Sequence, residues 1–186
     1  MAHRTGHTRR TSRSGGSVKA EIIRTDRLTL LPLKAEHADE MAVALSDPGL
    51  HTFIGGAPDT AQALRARYAR WAAGSPVPAE SWCNWVIRLR DTDRLTGTVQ
   101  ATVTTDDRGA CAEIAWVVGT PWQRTGIATE AARGLVAWLR KHPPVHTVVA
   151  HVHPDHQASA AVATTAGLAP TDQRHDGEIR WRLTTG

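Results

Sequence analysis

One carboxylate, Glu113, interrupts an apolar, β-prone run over residues 111–119. A carboxylate can take the proton of an ammonium group, directly or through water, and so generate a nucleophilic amine. Strand alternation puts Glu113 on the same face as Ala115 and Val117, and its apolar neighbours predict partial burial. A structural ion pair with an arginine is the other interpretation, because an unpaired charge is costly on a covered strand.

The segment after this strand has the composition of a phosphate-binding turn. Gln123-Arg124-Thr125-Gly126-Ile127-Ala128 leads into a predicted helix. Consecutive unpaired N–H groups at the positive end of a helix suit a pyrophosphate. Gly126 would let a ligand approach the backbone closely. An ordinary loop is the alternative, since a glycine before a helix is common.

Periodic apolar patterns predict the elements that position these groups. Turn-forming residues over 90–94 and 106–109 predict antiparallel hairpins. Strands separated by helices indicate a mixed sheet with helices on both faces, an α/β (α+β) fold. Strands are predicted over 27–33, 82–89, 95–105, 111–119, 145–152 and 178–183, and helices near 38–45, 61–71, 128–139 and 156–166.

Length and cysteine content favour one domain without cross-links. A chain of 186 residues can bury a sizeable core. Cys83 and Cys111 match no metal or redox spacing, so we expect reduced thiols in a cytoplasmic protein. No stretch approaches the roughly 20 apolar residues that span a bilayer, so no membrane partner is expected.

The first residues differ in composition from the rest of the chain. Residues 1–20 are basic and carry almost no apolar side chain, so we expect a disordered tail ahead of a domain at 21–186. The chain has a net charge of +4. A nucleic-acid-binding arm is the sharper interpretation, because arginines neutralise phosphates. Nucleic acid is an unlikely partner, because the segment has no aromatic residue to stack on bases.

The run AEIAWVVGTPWQRTGIATEAA resembles the core motif of the GCN5-related N-acetyltransferases. In that motif a strand with a glutamate leads into Gln/Arg-x-x-Gly-x-Gly/Ala and a helix, and Gln123, Gly126 and Ala128 fill the defined positions. The resemblance covers nearly all of 21–186 and is closest to the ribosomal-protein N-acetyltransferase branch. Residues 25–30 and 151–159 are similar to that branch.

The resemblance implies a mixed, mostly antiparallel sheet of six or seven strands flanked by helices on both faces. It also implies acetyl-CoA as co-substrate, with Val117 and Val118 pairing their backbone with the pantetheine arm. His156 stands where the family usually has asparagine, and it could keep a hydrogen bond to the cofactor. The implied pyrophosphate-binding residues are Gln123, Arg124, Thr125, Gly126, Ile127, Ala128 and Thr129.

Catalytic roles also follow from the resemblance. The family glutamate that matches Glu113 is a general base. A tyrosine often protonates the leaving thiolate, but Ala163 occupies that position here, so Ser159 is the remaining donor. Ser159 is equally compatible with an ordinary first-turn helix residue, because serine is favoured near helix starts.

Residues for the amine acceptor are predicted on three segments. Phe53 and Ile54 lie where the family places acceptor-contacting loops. Asn84 and Trp85, with Trp116 and Trp122, could wall a pocket, although core packing is the usual role of tryptophan. His151 could line the acceptor side or relay a proton.

The histidines of this region also raise the question of a metal. Histidine is a common zinc ligand. His151 and His153 occupy alternate strand positions, and His156 follows shortly after them. No thiol or further carboxylate at a familiar spacing completes the set, apart from Asp155, whose side chain should point elsewhere. We therefore expect no metal.

The leading hypothesis is an N-acetyltransferase that transfers acetyl from acetyl-CoA to a primary amine by direct attack. The acceptor stays open between a protein N-terminus and a small amine. Only Asp47 and Asp59 supply carboxylates in 46–60, which argues mildly against a polycationic acceptor. A non-catalytic CoA-binding or nucleic-acid-associated regulatory module is the alternative, and either a monomer or a homodimer is compatible.

Overall fold

A computed structural model describes residues 17–107, 109–142 and 145–185, without the side chain of Ile54. Most of the predicted basic tail lies outside the described residues. Eight strands in the described part form one sheet, in the order β1-β2-β3-β4-β5-β6-β8-β7. They are β1 (Ile23–Arg24), β2 (Leu28–Pro32), β3 (Glu80–Leu89), β4 (Leu95–Asp106), β5 (Gly109–Val118), β6 (Val145–Val152), β7 (Ala169–His175) and β8 (Glu178–Thr184).

Helices cover both faces of this sheet, as predicted. They are α1 (Ala38–Ala44), α2 (His51–Ile54), α3 (Ala61–Ala72), α4 (Ile127–Arg140) and α5 (Gln157–Thr165). The apolar stripe of α4 packs with Trp85 and Ile87 in the larger core, while α1 and α3 bury Met41 and Tyr68 against Val86 in a second one. Consecutive residues of β3 thus enter different cores, because strand side chains alternate between faces.

The sheet is larger than predicted. Two strands, β1 and β7, have no counterpart in the sequence prediction. Residues Ala169–His175 are mostly polar and exposed and include Pro170, so their sequence carries no apolar alternation. They become a strand because the edge of β8 is available for pairing.

Strand β5 is covered on one face only. Ala112 and Ile114 are buried under α4, whereas Glu113 and Ala115 are exposed. The almost wholly apolar sequence of this segment predicts a central strand covered on both faces, and that prediction was wrong. The sequence looked uniformly apolar because small side chains line the open face.

Strands β5 and β6 pair in parallel over a short stretch and then separate. Their register runs from Ala110 opposite Val145 to Glu113 opposite Val149. All other strand neighbours pair antiparallel. Within the described residues, Ile114–Val118 has no register partner on β6, although it stays paired with β4. The sheet therefore forks directly after Glu113.

The turn between β1 and β2 is anchored to the first turns of α4. Glu130 accepts hydrogen bonds from the Thr25 hydroxyl at 2.6 Å, from the Arg27 backbone N–H at 2.7 Å and from the Arg27 Nε at 2.7 Å. Burial would raise the pKa of Glu130, but these hydrogen bonds outweigh it and hold the pKa below its ordinary value. The charged carboxylate is therefore stabilised by the fold.

We expect Glu130→Gln to lower the free energy of unfolding at neutral pH by about 1–3 kcal/mol, because an amide cannot accept all three bonds. The native pKa is depressed, so this stabilisation is present above the ordinary value of 4.5 and is lost as the pH falls below it. Urea unfolding at pH 7 and about pH 3 measures this. A pH-independent difference between wild type and variant would contradict it.

Candidate active site

An open groove crosses the face of the sheet that carries Glu113. Two cavities lie along it, one of about 370 Å³ beside α1 and α3 and one of about 740 Å³ beside β7 and β8. Glu113 lines the larger cavity, and Trp116 and Val117 line the smaller. The floor on β4 consists of Thr98, Gln100, Thr102 and Thr104, which pair respectively with Val117, Ala115, Glu113 and Cys111 of β5.

Glu113 points into this groove beside a histidine. Its side chain is 58% exposed, so the predicted partial burial was wrong. The His151 Nδ1 lies 3.3 Å from the Glu113 Oε1, and the His151 side chain is only 16% exposed. The carboxylate thus has a histidine partner rather than the arginine considered from sequence. This pair could accept a proton at the carboxylate and pass it to the ring.

The Gln123–Thr129 segment forms a turn that leaves backbone donors at the start of α4. Arg124 and Gly126 adopt positive φ angles of 62° and 82°. The first helical bond of α4 runs from the Glu130 N–H to the Gly126 carbonyl at 3.0 Å, and no side chain caps the helix within the described residues. The N–H groups of the first turn therefore remain available for an anion.

Two side chains stabilise this turn through hydrogen bonds to backbone carbonyls. Gln123 Nε2 donates to the Val118 carbonyl at 3.0 Å and ties the turn to the end of β5. Arg27 Nη1 donates to the Thr125 carbonyl at 3.1 Å. A Cβ on Gly126 would lie 3.3 Å from Arg27 Nη2, so the guanidinium closes one side of the turn. Sequence reasoning missed Arg27, because its partners are about a hundred residues away in the chain.

These features fit a nucleotide-linked thioester. The turn offers unclaimed backbone donors with an arginine beside them, which suits a pyrophosphate. At Val117 and Val118 the β6 side of β5 has no strand partner among the described residues, although the Val118 carbonyl already accepts from Gln123, so this edge suits an extended arm. Ala128 and Thr129 are half-buried and Ile127 is buried, so their backbone rather than their side chains would serve the ligand.

His156 and Phe53 meet although they are far apart in sequence. His156 is the residue before α5, and its ring stacks on the Phe53 ring at 4.2 Å between centroids. Burial, and secondarily His153, lowers the pKa of His156, which favours the neutral ring. Phe53 therefore contacts the predicted cofactor segment. The Ile54 side chain lies outside the described residues.

The remaining predicted residues divide between the groove and the core. Ser159 is half-buried in the first turn of α5. Asn84 pairs with Gln100 and shares the groove face. Trp85 does not: it is 0% exposed, its Nε1 donates to the Glu21 carbonyl at 2.7 Å, and it packs against Trp138. The prediction of Trp85 as a substrate contact was wrong, because strand alternation turns it to the other face.

The two thiols differ in accessibility. Cys83 is 0% exposed, and burial raises its pKa to about 11. Burial also raises the pKa of Cys111, which lines the larger cavity. We expect iodoacetamide at about pH 8 to modify Cys111 well before Cys83, because the thiolate must form and be reached. Peptide mass spectrometry measures the order, and equal rates would contradict this placement.

The described residues contain neither a metal-binding cluster nor a membrane-spanning helix. No group of three or more His, Cys, Asp or Glu side chains there is arranged to hold a metal ion. No helix in that part of the chain is long and apolar enough to cross a membrane.

The fork, the turn before α4 and the sheet order together correspond to a known domain. The family model for the acetyltransferase (GNAT) domain matches residues 27–169. The chain belongs to the GNAT acetyltransferase family. As a GNAT member it is an acetyl-CoA-dependent N-acetyltransferase. No curated protein shows significant similarity to the sequence.

Solved GNAT structures share this fold. A GNAT-family acetyltransferase from Bacillus anthracis has a TM-score of 0.74 and 17% identity, covering 89% of this chain and 99% of its own. RimL, a ribosomal L7/L12 α-N-protein acetyltransferase solved with coenzyme A, has a TM-score of 0.69 and 14% identity, covering 88% of this chain and 98% of its own. The aminoglycoside acetyltransferase AAC(6')-Ib, also solved with coenzyme A, has a TM-score of 0.68 and 17% identity, covering 84% of this chain and 94% of its own.

Proposed function

We propose that this protein acetylates a primary amine by direct attack on acetyl-CoA, with Glu113 as general base. One observation carries the proposal: Glu113 forms the last pair between β5 and β6, at the point where the sheet forks. A thioester arm lying in the fork would end beside this carboxylate. The open groove on the same face gives an acceptor access to it.

The chain's own residues would bind the co-substrate at two places. The backbone N–H groups of the turn from Arg124 to Thr129 hold the pyrophosphate, and Arg27 adds a positive charge beside them. The free edge at Val117 and Val118 pairs with the pantetheine arm. His156, stacked on Phe53 just before α5, would add a contact to the co-substrate. Acetyl-CoA supplies the electrophilic carbonyl.

Side chains on both sides of the fork would transfer protons or donate hydrogen bonds during the reaction. Glu113 removes a proton from the ammonium group so that the amine can form the C–N bond, and His151 orients the carboxylate. Ser159 donates a hydrogen bond to the sulfur as the C–S bond breaks. Its position in the first turn of α5 supports this role.

No enzyme thioester is expected on this route. Burial keeps both Cys83 and Cys111 protonated near neutral pH, so neither is an activated nucleophile. The two free thiols also favour a cytoplasmic location. We assign catalysis to the domain at residues 21–186.

An acceptor screen tests the proposal. Purified protein is mixed with acetyl-CoA and a panel of peptides, amino acids, polyamines and aminoglycosides, and free thiol is measured over time. We expect turnover with at least one amine and a mass increase of one acetyl group on that amine. Coenzyme A binding without turnover on any amine would favour the non-catalytic alternative.

Two of the similar structures suggest which acceptor types to include in this screen. RimL is named for a protein N-terminus and AAC(6')-Ib for aminoglycosides. The smaller cavity contains one carboxylate, Asp59, and Arg67 already pairs with it at 2.6 Å. A polycationic acceptor would find little negative charge in the smaller cavity and would meet Arg174 and Arg180 in the larger one, so a peptide amine is the better supported acceptor.

A further inference from the structure

The wall of the larger cavity formed by β7 and β8 is cationic. Arg174 and Arg180 both line it. Arg180 Nη1 donates to the Gln173 Oε1 at 2.6 Å, and Arg174 Nη1 donates to the Gly177 carbonyl at 3.2 Å. Both acceptors are neutral. Both guanidiniums line the cavity and hydrogen-bond to these neutral groups, so they add positive charge to this wall.

The opposite wall carries the carboxylates. Glu80 accepts from the Ser75 hydroxyl and from Trp82 Nε1, so its charge is already hydrogen-bonded. Glu113 faces His151 and is the proposed acceptor of the ammonium proton. The cavity therefore separates a site for an amine from a site for an anion.

The distance between these two sites can be bounded from the sheet. Arg180 and Cys111 line the same cavity as Glu113. Cys111 and Glu113 are two residues apart on the same face of β5, which places them about 7 Å from each other. An extended peptide advances roughly 3.3–3.6 Å per residue. A side chain two or three residues into a peptide would thus meet Arg180 when its terminal amine meets Glu113.

We infer that the acceptor is a peptide N-terminus with an acidic residue at its second or third position. This inference rests on the proposed function, because it assumes that the amine binds at Glu113. Arg180 forms charge-assisted hydrogen bonds to the acidic side chain, and Arg174 adds a second positive charge in the same cavity. A lysine at the same position meets two like charges.

Matched peptides test the inference. Peptides of one sequence carry Asp, Asn or Lys at position two, and a second set carries them at position three. We expect kcat/KM to be about tenfold higher for Asp than for Asn in at least one set, and lowest for Lys. Arg180→Gln should remove the preference for Asp over Asn, chiefly by lowering kcat/KM for the Asp peptide.

The control is Arg140→Gln, an exposed arginine in the last turn of α4, which should keep the wild-type preference. Arg180→Glu should reverse the preference toward Lys, and thermal unfolding checks that each variant folds. Equal rates for Asp, Asn and Lys peptides, or a preference that survives Arg180→Gln, would overturn the inference. Turnover on small amines alone would also overturn it and leave the proposed function standing, whereas no turnover on any amine would remove both.

Discussion

Replacing Glu113 with glutamine should lower kcat about 100-fold, the lower range for loss of a general base, while acetyl-CoA affinity stays within about twofold. The amide keeps the size of the side chain but cannot take the ammonium proton. Because Glu113 lies in the groove with 58% of its side chain exposed, the fold should tolerate the change. Steady-state kinetics with the best acceptor and calorimetric titration of acetyl-CoA measure the two quantities.

The matched control for this variant is Glu36→Gln. Glu36 is 71% exposed and pairs with Lys34 on the surface, so both parameters should keep their wild-type values. A parallel fall of kcat and acetyl-CoA affinity in Glu113→Gln would show a structural role instead. An unchanged kcat would remove Glu113 as the base.

Replacing Gly126 with glutamate should weaken acetyl-CoA binding by about 100-fold or more, because a carboxylate then occupies the anion-binding turn. Gly126 has a φ of 82°, which side-chain-bearing residues rarely adopt, and its Cβ would meet Arg27 Nη2 at 3.3 Å. The new carboxylate could pair with this guanidinium and take the place of a phosphate. Calorimetric titration with acetyl-CoA measures the loss.

The control variant Gly74→Glu separates the effect of backbone strain from the effect of the new charge. Gly74 has a φ of 89°, and no atom lies within 4 Å of a Cβ built there, so this change imposes similar strain far from the turn. We expect acetyl-CoA affinity to stay at the wild-type level in this control. Undiminished binding in Gly126→Glu would show that the turn does not hold the pyrophosphate.

The strands and helices with strong apolar periodicity were predictable. β6 coincides with the predicted 145–152, and α4 follows its apolar stripe. The polar alternation at Thr98, Gln100, Thr102 and Thr104 could have identified the groove floor, since every second side chain of a strand shares a face. β7 could not be found this way, because its pairing with β8 rather than its composition makes it a strand.

The family, the turn before α4 and the presence of a carboxylate on β5 could be read from the sequence, because these depend on local order along the chain. Three contacts became visible in the folded chain alone: Arg27 with the turn, His151 with Glu113, and Phe53 with His156. The fold also buries Trp85 in the core, away from the groove. Such contacts join residues far apart in sequence, and their geometry depends on how strands register and helices pack.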